Sequence, residues 1–250
     1  MKKIEVARLS VLSNSVLVIF KLVVGLTINS VSVISEAIHS GLDLIAALIA
    51  LFAVSRSGKP PDAEHQYGHG KIENISGVIE AILIFVAAIW IIREAAAKLI
   101  VGARVDAPMW GLIVMGFSAA ANWVVSSLLM KTAHETDSIA LEADALHLRT
   151  DVYTSVGVAG GLLLLWITGI HLFDPLIAIG VALLIIKAAY DLTAKAFFPL
   201  LDASLPPEEE ASIKEIIEIF GTHFVSFHKM RTRKAGDQRF VDLHLVVPPT

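Results

Sequence analysis

The chain has 250 residues, of which 55% are hydrophobic and only 18% charged, with a net charge of −4 and no cysteine. Soluble domains carry about a quarter charged residues, so an ordinary soluble fold is excluded, and so is intrinsic disorder. Without cysteine there is no disulfide scaffold, thiolate metal ligand or thiol nucleophile, and the acidic balance offers nucleic acid no basic face.

Six long apolar runs follow one another at residues 9–26, 31–54, 75–92, 109–130, 139–167 and 175–194. Each is near or above the roughly 20 residues that cross a hydrocarbon core. Lipid leaves the backbone to satisfy its own hydrogen bonds, so these runs read as six membrane-spanning helices. The first lacks a small-residue cleavage site and leads straight into the second, so it reads as a span and not a leader. Lys2, Lys3, Arg8, Arg56, Lys59, Lys71 and Lys131 fall on one side of the six crossings, against mainly Lys98 and Arg104 on the other. The positive-inside rule then places both termini in the cytoplasm.

After residue 201 the composition changes. Leu205-Pro206-Pro207 followed by Glu208-Glu209-Glu210 is a break and then an acidic first turn, which predicts a helix over 208–220. Residues 224–232 and 239–247 read as two strands around Lys234-Ala235-Gly236-Asp237. The expected fold is therefore an all-α polytopic membrane protein: a membrane domain over 1–201, then a short, incomplete α/β cytoplasmic domain over 202–250. One helix and one hairpin make too small a core to stand alone.

Ionisable groups inside a membrane are expensive, so each needs a reason. The second span holds His39 and Asp43, the fifth His147 and Asp151. Both pairs are spaced i, i+4, which puts the two side chains on one helix face about 6 Å apart along the axis. Three crossings separate the two spans, so they run in opposite directions, and each pair sits eight and twelve residues into its run. Antiparallel packing then sets His39 level with Asp151 and Asp43 level with His147. Two nitrogens and two oxygens around one point suit tetrahedral Zn²⁺ better than Mg²⁺ or Ca²⁺, which prefer all-oxygen shells, or Cu(I), which prefers sulfur. The competing reading is a purely structural hydrogen-bond network between the helices.

Between spans two and three, Asp62, His65 and His69 have the spacing of a second metal site at the membrane rim. Lys21 and Glu80 lie inside spans one and three. Lys21 is expected to snorkel toward an interface, and Glu80 to hydrogen-bond between helices. Gly157, Gly160 and Gly161 are expected to permit close helix packing. His134, His171 and His223 read as ordinary surface residues.

The His-x-x-x-Asp of spans two and five, the loop sequence His65-Gln66-Tyr67-Gly68-His69-Gly70-Lys71-Ile72-Glu73, and six spans followed by a small αβ tail together resemble the cation diffusion facilitator family, in particular its zinc-transporting bacterial members. The resemblance implies that His39, Asp43, His147 and Asp151 form the transport site and that Asp62, His65 and His69 match a loop site. It implies that His228 and His244 stand at ligand positions of a cytoplasmic site, here partial. It also implies a homodimer in the inner cell membrane.

The expected function is a Zn²⁺/H⁺ antiporter that moves zinc out of the cytoplasm by alternating access, with Zn²⁺, protons and the lipid bilayer as its partners and no nucleic acid. A transporter of the same fold for Cd²⁺, Fe²⁺, Co²⁺ or Mn²⁺ is the nearest alternative. An intramembrane zinc enzyme is a more distant one, because the His-Glu-x-x-His pattern of such enzymes is absent.

Overall fold

The structure, a computed structural model, describes residues 2–27, 31–101, 109–168 and 172–248. Arg104 and His171 lie outside the described residues, as do the side-chain positions of Glu36 and Lys98 and the surroundings of Gly161. Six long helices come first: α1 Lys3–Thr27, α2 Val31–Ser57, α3 Lys71–Val101, α4 Met109–Thr136, α5 Ile139–Thr168 and α6 Phe173–Phe197. Among the described residues, five of them contain stretches long and apolar enough to cross a membrane. The exception is α5, whose first half carries Glu142, Asp144, Arg149 and Asp151.

The helices pack through small residues. Ala46, Ala50, Ala81, Ala88, Ala143 and Ala189 are fully buried, whereas Leu12, Ile19, Trp90 and Leu184 point outward. Small side chains let helix axes approach where lipid supplies no hydrophobic drive, and large apolar ones then face the acyl chains. At Gly77 of α3 a Cβ would stand 3.1 Å from the Ala196 side chain of α6, and at Gly157 of α5 3.0 Å from Val181 of α6. Gly160 has nothing of the described residues within 4 Å, so it does not share the packing role expected of Gly157.

Two cores result. Val6, Val54, Leu129, Leu141 and Leu148 join α1, α2, α4 and α5. Ile84, Ile139, Ala143, Ile185 and Leu192 join α3, α5 and α6. Among the described residues α5 is the helix with buried members in both, and it carries two of the four intramembrane candidates.

The tail begins with a single 3-10 turn, Phe198–Leu201, and continues as α7 Pro207–Ile219, β1 Ser226–Ala235 and β2 Gln238–Val246. Pro207 starts α7, and Glu208, Glu209 and Glu210 sit at its positive end. The strands pair antiparallel across a two-residue turn, Gly236-Asp237. Gly236 takes φ +62° in the first turn position, where hairpins of this length use glycine. This tight turn carries β1 three residues past its expected end at 232. A bulge between His228 and Arg231, with Lys229 at φ +54°, interrupts the register.

The hairpin tip sits on the membrane domain. The Gly236 N–H donates to Asn74 Oδ1 at 3.0 Å. Lys234 and Arg239 bind Asp137, between α4 and α5, at 2.8 and 2.6 Å, and Lys3 of α1 reaches Asp237 at 2.8 Å. Partial burial alone would raise the Asp137 carboxyl, but the bonds from Lys234 and Arg239 outweigh it and hold the group below its ordinary value of 3.8. A depressed carboxylate stabilises the folded state above that value, so this clamp is at full strength at neutral pH and loosens only in stronger acid. Lys71 and Arg233 bind Asp202 in the same way, at 2.8 and 3.1 Å.

Candidate metal sites

α2 starts at Val31 and α5 at Ile139, so His39 and His147 each lie eight residues into their helix, counted from opposite ends of the bundle. His39 Nε2 stands 3.6 Å from Asp151 Oδ1, and His147 Nε2 3.3 Å from Asp43 Oδ1. His39, Asp43 and Asp151 each offer a ligand atom, all within 4.8 Å of one another. His147 lies outside that group of three and is joined to it through Asp43. The four residues thus meet as two cross-helix pairs, His39 with Asp151 and His147 with Asp43, and Asp43 also lies within reach of the first pair.

Accessibility changes sharply across the cluster. The His39 side chain is 49% exposed and Asp151 20%, whereas His147 is 11% and Asp43 4%. The buried pair lies nearer the tail. On that side Glu73 closes the bundle: its carboxylate, 1% exposed, accepts hydrogen bonds from Lys3 of α1, Ser57 of α2 and Ser138 at the start of α5, at 3.3, 2.7 and 2.5 Å.

Several polar groups around the cluster lie where spacing could not place them. Lys21 of α1 does not extend to an interface. It is buried and donates to Ser40 Oγ at 2.7 Å, because a hydroxyl acceptor stands ready on α2. Glu80 is fully buried but bonds within its own helix, accepting from Ser76 at 3.2 Å one turn away, so the expected bond between helices is replaced by a local one. Asp144, one turn before His147, is fully buried beside Ser10 of α1. Asn122 of α4, also buried, donates through Nδ2 to Asp151 Oδ2 at 3.5 Å. A neutral amide in an apolar run has no partner spacing to reveal it, and Glu73 was visible only as the last residue of the loop sequence.

The loop candidates also come together. His65 Nδ1 and His69 Nε2 lie 3.3 and 3.2 Å from the two oxygens of Asp62, and their rings are 4.5 Å apart. The backbone N–H groups of His65 and Glu64 donate to Asp62 Oδ1 at 2.7 and 3.0 Å. The His65 N–H is the main reason the Asp62 carboxyl lies below its ordinary value. At the tail side of α3, Asp62 and His65 of this cluster are exposed, whereas the His69 side chain is largely covered. His228 and His244 are direct cross-strand partners with ring centroids 5.4 Å apart, both exposed. Among the described residues no third acidic or histidine ligand completes a group with them. His134 and His223 are exposed.

Residues 7–201 match the family described as cation efflux transmembrane domain, and residues 205–250 match that of the cation efflux protein cytoplasmic domain. The chain is 36% identical over 220 residues to an uncharacterized transporter of Synechocystis sp., covering 88% of this chain and 71% of that relative. It is 30% identical over 232 residues to the cation-efflux pump FieF of Cronobacter sakazakii, covering 92% and 76%, and 31% identical over 217 residues to FieF of Pectobacterium atrosepticum, covering 87% and 72%. Together the two matches cover nearly the whole chain, and the chain belongs to the cation efflux, or cation diffusion facilitator, family of integral membrane transporters of metal cations.

Proposed function

We propose that this protein is a Zn²⁺/H⁺ antiporter that exports zinc from the cytoplasm through His39, Asp43, His147 and Asp151. The observation that carries this reading is the pair of acid–imidazole contacts across α2 and α5, inside the bundle of a cation efflux protein. Two imidazoles and two carboxylates form a mixed shell that suits Zn²⁺. An imidazole must be neutral to bind metal, and its unperturbed pKa is about 6.5. Protons and Zn²⁺ therefore compete for the same nitrogens, which is what obligatory exchange needs. Excess Lys and Arg on the tail side support cytoplasmic termini, an inner-membrane location follows from bacterial relatives, and the matched cytoplasmic domain supports a homodimer through the tail. Cd²⁺, Fe²⁺, Co²⁺ and Mn²⁺ transport on the same fold is the second reading.

Zn²⁺ uptake into inside-out vesicles is expected to drive protons outward and to weaken as pH on the tail side falls below about 6.5, the ordinary histidine value. A flux that ignores both pH and the proton gradient would refute exchange. A parallel series with the other four ions decides the cargo.

The loop cluster is proposed to gather metal at the rim without being required. His65→Ala with His69→Ala is expected to lower apparent affinity more than maximal rate, because both residues belong to the connector between α2 and α3 and not to the spans that carry the transport residues. Complete loss of transport by a monodisperse double variant would show them to be essential.

A further inference from the structure

The four proposed ligands come from α2 and α5, yet a fifth polar group reaches them from α4. Asn122 is buried, 6% exposed, and its amide points at Asp151. The two oxygens of that carboxylate are divided: Oδ1 faces His39 Nε2 at 3.6 Å, and Oδ2 accepts from Asn122 Nδ2 at 3.5 Å. A carboxylate oxygen that accepts an amide hydrogen bond is a weaker ligand, so the group tends to bind an ion through its other oxygen alone.

How many oxygens a carboxylate offers matters for ion choice. Zn²⁺ is most often four-coordinate in N/O sites and is content with one oxygen from each carboxylate. Larger and more adaptable ions gather more oxygens and use both from one carboxylate. Partners just outside a metal shell orient its ligands, and their loss commonly changes metal affinity.

We propose that Asn122 is a selectivity-determining positioning residue: by holding Asp151 Oδ2 it keeps Asp151 monodentate and favours Zn²⁺ over larger divalent ions such as Cd²⁺. The inference rests on the transport-site reading above and deepens it. Asn122 touches a proposed ligand and not the ion, so its signature is a change of preference between ions and not a common loss of binding.

The experiment is calorimetric titration of the purified full-length protein with Zn²⁺ and with Cd²⁺ at one pH. His65→Ala and His69→Ala are introduced throughout to silence the loop cluster. Asn122→Leu removes the amide at similar volume, and Asn122→Ala guards against a fault peculiar to leucine. Both are expected to lower the Zn²⁺/Cd²⁺ affinity ratio by about tenfold, the lower end of what losing such a partner does, chiefly by strengthening Cd²⁺. An unchanged ratio in folded variants overturns the proposal, and so does equal weakening of both ions, which would mark Asn122 as a packing residue. Asp151→Ala on the same background separates the two levels of the argument. If it leaves Zn²⁺ binding untouched, the intramembrane site itself fails and takes this inference with it. If it abolishes binding while the Asn122 variants keep the wild-type ratio, only this inference fails.

Discussion

His147→Ala is expected to abolish metal flux while leaving a folded bundle. Its Nε2 lies 3.3 Å from Asp43 Oδ1 in the least accessible part of the cluster. Removing it deletes a proposed ligand and leaves the Asp43 carboxylate, 4% exposed, without its imidazole partner. An uncompensated buried charge costs several kcal/mol, so the ion-free state is also disturbed. Loss of an outer partner lowers metal affinity about 10- to 100-fold, and loss of a ligand should exceed that. The α5 backbone is held by both helix cores, which the alanine does not touch. Normal Zn²⁺ flux from monodisperse His147→Ala protein in vesicles would remove it from the site. Asp151→Ala should behave alike.

The second large effect is expected at the hairpin tip. In Gly70→Val, a Cβ would fall 2.3 Å from the Ala235 carbonyl oxygen and 2.8 Å from its carbon. Both are backbone atoms and cannot swing aside as a side chain could. Overpacking of this kind costs about 1–3 kcal/mol, and the simplest relief is for the tip to lift away. That would break the Gly236–Asn74 hydrogen bond and strain the bonds of Lys234 and Arg239 to Asp137. Faster amide exchange over residues 226–246, with α1–α6 unchanged, is the expected result. Wild-type protection of the hairpin would show that the contact does not hold the tail.

The six helices were readable because lipid permits few backbone solutions and long apolar runs announce them. The two acid–imidazole pairs were readable for the opposite reason: charge is so costly there that four such residues at matched spacing stand out. Antiparallel crossing then set which residue meets which. What spacing could not supply was the third dimension. The long side chain of Lys21 can reach an interface, which is what its position in the span predicts, but Ser40 on the neighbouring helix gives its ammonium an inside partner. Glu73 binds residues 70 positions before and 65 after it in the chain, and no local pattern reports that. Asn122 is uncharged, so it raised no alarm in an apolar run, although it meets Asp151 directly. The hairpin was legible to within a few residues, and the tight Gly236 turn accounts for the extra length of β1.

The double duty of α5 bears on how the protein is made. A helix leaving the ribosome alone meets lipid with all its side chains, and Asp144, Arg149 and Asp151 lie in the first half of α5. On insertion scales an aspartate or arginine at the bilayer centre costs about 2.5–3.5 kcal/mol. The remaining apolar residues must offset several such penalties before any partner arrives. Inside the finished bundle Asp144 is fully buried and Asp151 meets His39 of α2 and Asn122 of α4, so α5 becomes acceptable to the membrane only in company. It follows that bulky substitutions at Gly77, where α3 meets α6, or at Gly157, where α5 meets α6, should act during biogenesis. They would leave α5 stranded outside the bilayer, a topological error that a quality-control protease removes, and would not yield a slightly less stable transporter.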